Sequence, residues 1–161
     1  MTPWRTSLRG FTFIELMVTL AIMAVLVTVA TPMAQLTEQR HKEHLLRMAL
    51  AQIRQALDAY KRASDQGRIA TRLGESGYPK TLSALVEGVD DQRSPTRQKL
   101  YFLRRLPADP MVADATAKPE DSWGRRSYAS PPDDPGEGDD VFDVYSTSQR
   151  LGLNGVAYSQ W

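Results

Sequence analysis

Hydrophobic and polar positions divide the chain into an apolar first part and a mostly polar remainder. Residues 11–34 are almost all apolar, and Glu15 carries the one formal charge among them. As a helix, these 24 residues would be about 36 Å long, which is enough to cross a bilayer core of about 30 Å. The first ten residues contain Arg5 and Arg9 and no acid. This charge asymmetry predicts a single membrane span with a cytoplasmic N-terminus.

A second pattern with a helical period follows the apolar run. Apolar side chains recur at steps of three and four between residues 37 and 64. The pattern predicts an amphipathic helix that buries Leu45, Ala49, Ile53, Leu57 and Tyr60. The polar residues after this segment indicate the end of the helix, and Gly67 is its predicted C-cap.

The remaining residues, 65–161, show short apolar blocks separated by turn-forming residues. We expect a short helix at residues 82–86 that ends at Gly88. Residues 127–130 and 141–146 have the composition of strands, with Phe142 and Val144 on one side of the second. The pair Asn154-Gly155 between apolar residues predicts a two-residue hairpin turn. Trp123 and Tyr128 are predicted core residues.

Composition narrows the possible functions. The chain has 161 residues, a formal net charge of +1 and no cysteine. Its length suits one domain with a modest core. A disulfide scaffold, a cysteine-ligated metal and a thiol nucleophile are excluded. The near-neutral charge does not indicate nucleic-acid binding, and no catalytic arrangement of residues is apparent, so we do not expect an enzyme.

Three interpretations of the apolar run differ in how they treat Glu15. A secretory signal peptide cut after Ala30 would place Glu15 within its apolar region. A plain membrane anchor leaves a costly carboxylate unexplained. A cut between Gly10 and Phe11 would create an amino group at Phe11, and Glu15 of a neighbouring subunit would neutralise it. Glu15 would then set the register of a polymer.

The stretch "RGFTFIELMVTLAIMAVL" at residues 9–26 resembles the N-terminal motif of the type IV pilin superfamily, which includes the pseudopilins of type II secretion. The resemblance implies cleavage by a prepilin peptidase after Gly10, N-methylation of Phe11 and assembly through Glu15 into a helical filament. Pro32 also fits the family. It would either loosen the helix or simply end the membrane helix, and the sequence does not separate these alternatives.

Blocks in the rest of the chain, "GYP", "YFLRRLPADP", "SWGRRSYAS" and "VFDVYS", occur in the order found in the major pseudopilin of type II secretion. The resemblance implies an α+β pilin-like fold, in which a small antiparallel sheet packs on the second half of one long N-terminal helix. The domains would be a leader at 1–10, a transmembrane helix at 11–34, an amphipathic half at 35–64 and a periplasmic head at 65–161.

The implied function is that of a filament subunit in a periplasmic pseudopilus that helps drive protein export. The implied partners are further copies of the chain, minor pseudopilins, an inner-membrane assembly platform and the prepilin peptidase, with no nucleic acid expected. The protein would lie in the bacterial inner membrane before assembly. A type IV pilin subunit, major or minor, for adhesion, motility or DNA uptake is the alternative.

The chain departs from the major pseudopilin at two places in the head. Residues 111–122 lengthen a loop, and the C-terminal "STSQRLGLNGVAYSQW" contains no acid, although the family commonly binds calcium there. The acidic stretch at 133–143 offers Asp139, Asp140 and Asp143 as calcium candidates. A solvated acidic loop is the favoured interpretation, so no cofactor is expected.

Two other clusters of polar side chains have simple explanations. His41 and His44, with Glu38 one turn earlier, have the spacing of half a zinc site, but a hydrated helix face is favoured. The pairs Arg104-Arg105 and Arg125-Arg126 would suit phosphate. Because no further basic residues cluster with them, phosphate binding is not expected.

Overall fold

The structure is a computed structural model that describes residues 10–112 and 118–161. The described elements are α1 (Phe13–Asp65), α2 (Ala84–Glu87), β1 (Val89–Asp90), β2 (Lys99–Leu100), β3 (Trp123–Arg126) and β4 (Asp143–Ser146), with short 3₁₀ helices at Pro119–Ser122 and Tyr158–Gln160. One long N-terminal helix with small antiparallel sheets confirms the predicted α+β fold. The chain divides into two compact units, with the boundary between Gln39 and Arg40.

The first unit consists of the N-terminal part of α1 and the residues before it. Its apolar segment has a mean hydropathy of 2.5 over 18 residues, none of which is buried. This helix is long and apolar enough to cross a membrane. The backbone stays helical through Pro32, so the alternative in which Pro32 ends the helix is wrong. A kink or loosening of the helix at Pro32 stays a prediction.

In the second unit, the remainder of α1 buries one face. This face comprises Leu46, Ala49, Leu50, Ile53, Ala56, Leu57, Tyr60 and Ala63. The prediction for Leu45 is wrong, since its side chain is 43% exposed and that of Leu46 is fully buried. One residue corresponds to about 100° around a helix, so only one of the two neighbours faces the core.

The end of α1 follows the predicted glycine signal. Gly67 has a φ of +68°, a conformation that is costly for residues with a side chain. Its N–H bonds to the carbonyl of Ser64 at 2.8 Å, and the N–H of Arg68 bonds to the carbonyl of Ala63 at 2.9 Å. These two bonds form a Schellman motif and close the helix.

Two separate antiparallel pairs, β1–β2 and β3–β4, form the strands that the structure describes. In the second pair, Trp123 lies opposite Ser146 and Arg126 lies opposite Asp143. The predicted strand at residues 127–130 is wrong. The Ser130 N–H bonds back to the carbonyl of Ser127 at 3.2 Å, so these residues form a turn after β3.

The core of the second unit lies between α1 and the residues that follow it. Leu82, Leu85, Val144 and Tyr158 are all fully buried there, and Trp123 is 3% exposed. Trp123 is thus the core residue that its sequence context predicts. Tyr128 is not, because its side chain is 63% exposed.

The C-terminal turn is smaller than a hairpin. Gly155 has a φ of +77°, as a turn at Asn154-Gly155 requires. A single antiparallel bridge between Leu151 and Ala157 replaces the predicted pair of strands.

Candidate processing and assembly site

Glu15 closes a hydrogen-bonded cap at the start of α1. Its carboxylate accepts hydrogen bonds from the backbone N–H and the hydroxyl of Thr12, both at 2.9 Å. The Glu15 N–H donates in return to the Thr12 hydroxyl at 3.3 Å. This is a capping box, with Thr12 before the first helical residue and Glu15 at the third. The sequence analysis missed this role, although the spacing Thr12-x-x-Glu15 is its known signature.

Gly10 and Phe11 precede the helix and are open to solvent. A Cβ added to Gly10 would meet no atom within 4 Å, and the Phe11 side chain is 84% exposed. The peptide bond between them is therefore accessible within the described residues. Because nothing around Gly10 requires glycine, a requirement for a small residue there would have to come from the peptidase.

The apolar side chains that follow Glu15 are largely exposed in the part of the chain that the structure describes. Their exposed fractions lie between 52% and 65% for Leu16, Met17, Val18, Leu20, Ile22, Met23, Val25, Leu26 and Val27. Exposed apolar surface of this extent indicates a membrane or another protein as its environment. The carboxylate of Glu15 lies at one end of this surface, next to the predicted cleavage site.

Protein donors contact part of the acidic stretch of the head. Asp143 pairs with Arg54 at 2.8 Å and with Arg126 at 3.5 Å. Glu137 pairs with Arg125 at 3.1 Å. These contacts occupy two of the six acids in the stretch and both members of the Arg125-Arg126 pair.

Asp140 is anchored by hydroxyl groups. It accepts hydrogen bonds from the Ser127 hydroxyl at 2.5 Å, from the Tyr128 N–H at 3.1 Å and from the Ser76 hydroxyl. Burial raises the pKa of Asp140, but the hydrogen bonds from Ser127 and Ser76 outweigh it, and the net pKa is below its ordinary value. Asp140 therefore stays ionised and joins two loops.

The calcium candidates do not converge in the described structure. Asp139 and Asp140 line one open groove of about 890 Å³, and Asp143 does not. Among residues 10–112 and 118–161, no three His, Asp or Glu side chains group closely enough to hold a metal ion. His41 and His44 are both exposed. The preference for a solvated acidic loop over a calcium site at Asp139, Asp140 or Asp143 stays a prediction.

Comparison with known proteins agrees with the geometry at the N-terminus. Residues 6–31 match the family described as the prokaryotic N-terminal methylation motif. This chain carries a type IV pilin methylation motif. The match includes Gly10, Phe11 and Glu15 and continues through most of the exposed apolar helix.

The similarity to curated proteins extends into the head. The chain is 28% identical over 143 residues to type II secretion system core protein G of Klebsiella michiganensis, covering 85% of this chain and 93% of the relative. Proteins with the same name are 29% identical in Klebsiella pneumoniae, covering 66% of this chain and 71% of the relative, and 28% identical in Dickeya chrysanthemi, covering 66% and 65%. No solved structure matches the chain.

Proposed function

We propose that this protein is a structural subunit of a periplasmic pseudopilus that helps drive protein export by type II secretion. The observation that carries the proposal is an exposed apolar helix with a carboxylate at its start, directly after an accessible Gly10–Phe11 bond. The methylation motif and the similarity to core protein G support it. Its work is mechanical, and no catalytic role is assigned to any residue.

In this proposal the apolar helix has two successive environments. Lipid covers its side chains while the subunit lies in the bacterial inner membrane, with the head in the periplasm. After a prepilin peptidase cuts at Gly10 and Phe11 is N-methylated, helices of neighbouring copies replace the lipid. The assembly platform and minor pseudopilins would start and guide this exchange.

Glu15 has a specific role in that exchange. An ammonium group at Phe11 and a carboxylate at Glu15 are both costly in an apolar surrounding unless they are paired. Helices packed side by side with an axial offset would bring the amine of one copy to the carboxylate of the next. The capping bonds from Thr12 hold the carboxylate at the helix start, where this pairing would take place.

The first test is the mass of the mature protein. We expect a chain that begins at Phe11 and is heavier by one methyl group. Gly10→Val should block processing, with Gly136→Ala as a control far from the cut, because an added Cβ there has space and needs no positive φ. A mature protein that begins directly after Ala30 would establish a signal peptide and overturn the proposal.

The second test separates charge from capping at Glu15. Glu15→Leu should leave membrane insertion and cleavage intact and abolish filament formation and secretion. Glu15→Gln retains an acceptor for Thr12 but no charge, so it should fail nearly as completely. Thr12→Ala removes the hydroxyl and keeps the charge, and it should assemble. Normal filaments from Glu15→Leu would contradict the pairing.

A further inference from the structure

A groove on the second unit contains two arginines, and one of them has no carboxylate partner among the described residues. The groove has a volume of about 540 Å³, and its walls include Arg47, Leu50, Ala51, Arg54, Val156 and Trp161. Its remaining lining residues, Asn154 and Gln160, are neutral. We call it the Arg47 groove. Its chemistry combines apolar walls, an aromatic ring and two guanidinium groups.

The two arginines of the Arg47 groove differ in how they are used. Arg54 donates to Asp143 at 2.8 Å and to the carbonyl of Trp161 at 2.7 Å. Arg47 lies over the ring of Trp161, 4.5 Å from its centroid, and pairs with no carboxylate among the described residues. The indole N–H of Trp161 is buried and also has no acceptor in the described part of the chain. The groove is therefore suited to a carboxylate beside an apolar group.

The same unit carries a segment of that chemistry. Residues 131–135 read Pro-Pro-Asp-Asp-Pro, and Asp133 and Asp134 are exposed and unpaired within the described residues. Prolines restrict the conformations of the free segment, so little entropy is lost when it is ordered. Segments of the Pro-x-x-Pro type dock on aromatic-lined grooves. We call residues 131–135 the acidic proline segment.

One copy of the chain does not fill its own groove. The Ser127 N–H bonds to the carbonyl of Gly136 at 3.0 Å, which holds the acidic proline segment in a closed loop beside Ser127. Asp140 accepts from the hydroxyls of both Ser127 and Ser76, and Gly77, which follows Ser76, lies beside the side chain of Lys61. Lys61 lies fourteen positions after Arg47, which is about 21 Å along the helix axis.

The charge of the segment, together with this axial separation within one copy, favours a second copy as the occupant. A second copy displaced along the axis of α1 would bring its acidic proline segment to the level of the Arg47 groove. We propose that the Arg47 groove receives the acidic proline segment of a second copy, with Asp133 and Asp134 against Arg47 and the prolines on Trp161 and Val156. The inference rests on the proposed function, because it requires copies stacked in a filament. It adds a contact between heads to the contact between apolar helices.

The chain contains no cysteine, so a pair of introduced thiols gives an unambiguous test in the full-length protein. Ala51→Cys places a thiol on the groove wall, and Asp134→Cys places one on the segment. Oxidation of assembled filaments should give a ladder of dimers, trimers and larger species, because each copy carries both thiols. The control pair Gln66→Cys and Asp121→Cys should give no ladder.

Charge reversal tests the same contact independently. In the cysteine pair, Asp133→Arg should lower the yield of the ladder about fivefold, which corresponds to an ion pair of about 1 kcal/mol. Adding Arg47→Glu should restore at least half of the yield, because the charges are then exchanged. Asp121→Arg, an exposed charge outside the contact, should have no effect.

The outcomes separate this inference from the proposed function. A ladder with rescue by the exchanged charges supports the contact. Filaments that form normally without a ladder overturn the contact and leave the proposed function intact. A ladder that is unchanged by Asp133→Arg also overturns the assigned pairing. If the parent chain is processed but forms no filaments, the proposed function fails and this inference fails with it.

Discussion

Replacement of Glu43 should destabilise the head, because the buried hydroxyl of Tyr158 donates a hydrogen bond to the Glu43 carboxylate. The Glu43 carboxylate is 6% exposed and accepts from the Tyr158 hydroxyl at 2.9 Å and from the Leu153 N–H at 2.7 Å. The side chain of Leu153 is 44% exposed, so its N–H can bond to water after Glu43→Ala. Tyr158 is fully buried, and its hydroxyl would lose an acceptor that water cannot replace.

The expected loss of stability follows from the different environments of the two donors, the Tyr158 hydroxyl and the Leu153 N–H. An unsatisfied buried hydroxyl costs about 1–3 kcal/mol, and the bond from Leu153 adds about 1 kcal/mol. We therefore expect Glu43→Ala to lower the free energy of unfolding by about 2–4 kcal/mol, or the melting temperature by about 10 °C. Glu43→Gln keeps an acceptor oxygen and should cost about 1 kcal/mol.

Urea unfolding of a fragment that begins after Gln35 measures this loss. The exposed substitution Gln55→Ala serves as the control and should change stability by less than about 0.5 kcal/mol. Tyr158→Phe should cancel most of the loss when it is combined with Glu43→Ala, because the buried hydroxyl that depends on the Glu43 carboxylate is then absent. A loss below about 1 kcal/mol for Glu43→Ala, or additive effects in the double variant, would refute the reasoning.

Three further predictions concern the head. A fragment that begins after Gln35 should be soluble and monomeric by sedimentation, because the apolar surface is removed; a polymer would contradict this. Calcium should not shift its melting temperature, whereas a site at hundredfold excess over Kd would add about 2.7 kcal/mol, and a shift abolished by Asp140→Ala would establish a site. A hydrogen bond from Arg68 lowers the pKa of Asp91 in the folded protein below its ordinary value of 3.8. The ionised Asp91 therefore contributes fully to the free energy of unfolding above the ordinary pKa. This contribution is lost as the pH falls through the lower pKa of the folded state. Asp91→Asn should therefore flatten the acid side of the stability curve, and an unchanged curve would argue against this coupling.

The parts of the fold that the sequence predicts well depend on local patterns. The apolar run and the amphipathic period lie in one uninterrupted helix, and Gly67 ends it with a positive φ. Gly88, with a φ of +77°, likewise follows the short helix α2. Each of these features is decided by residues within a few positions, so no knowledge of the tertiary structure is needed.

The parts that the sequence does not predict depend on distant contacts. Asp143 is a plausible calcium ligand until Arg54, which precedes it by 89 residues, is placed against it. Tyr128 has a large aromatic side chain of the kind that is often buried in a core, yet the turn after β3 exposes it. Long-range pairing of this kind leaves no period or spacing in the sequence, because either partner alone is compatible with several environments.

Glu15 differs from both groups, because one side chain combines a local capping signal with a proposed role between subunits. As a cap, the carboxylate stabilises the helix start within a single subunit. As a partner for the Phe11 amine, it would act between subunits. The two roles are compatible because the carboxylate can accept several hydrogen bonds, and both cap bonds go to the same oxygen, Oε2. The second oxygen has no bond to a described residue. The cap bonds hold the Glu15 side chain in place and leave its second carboxylate oxygen as an acceptor. This oxygen could therefore bind the amine of a neighbouring subunit without loss of the cap.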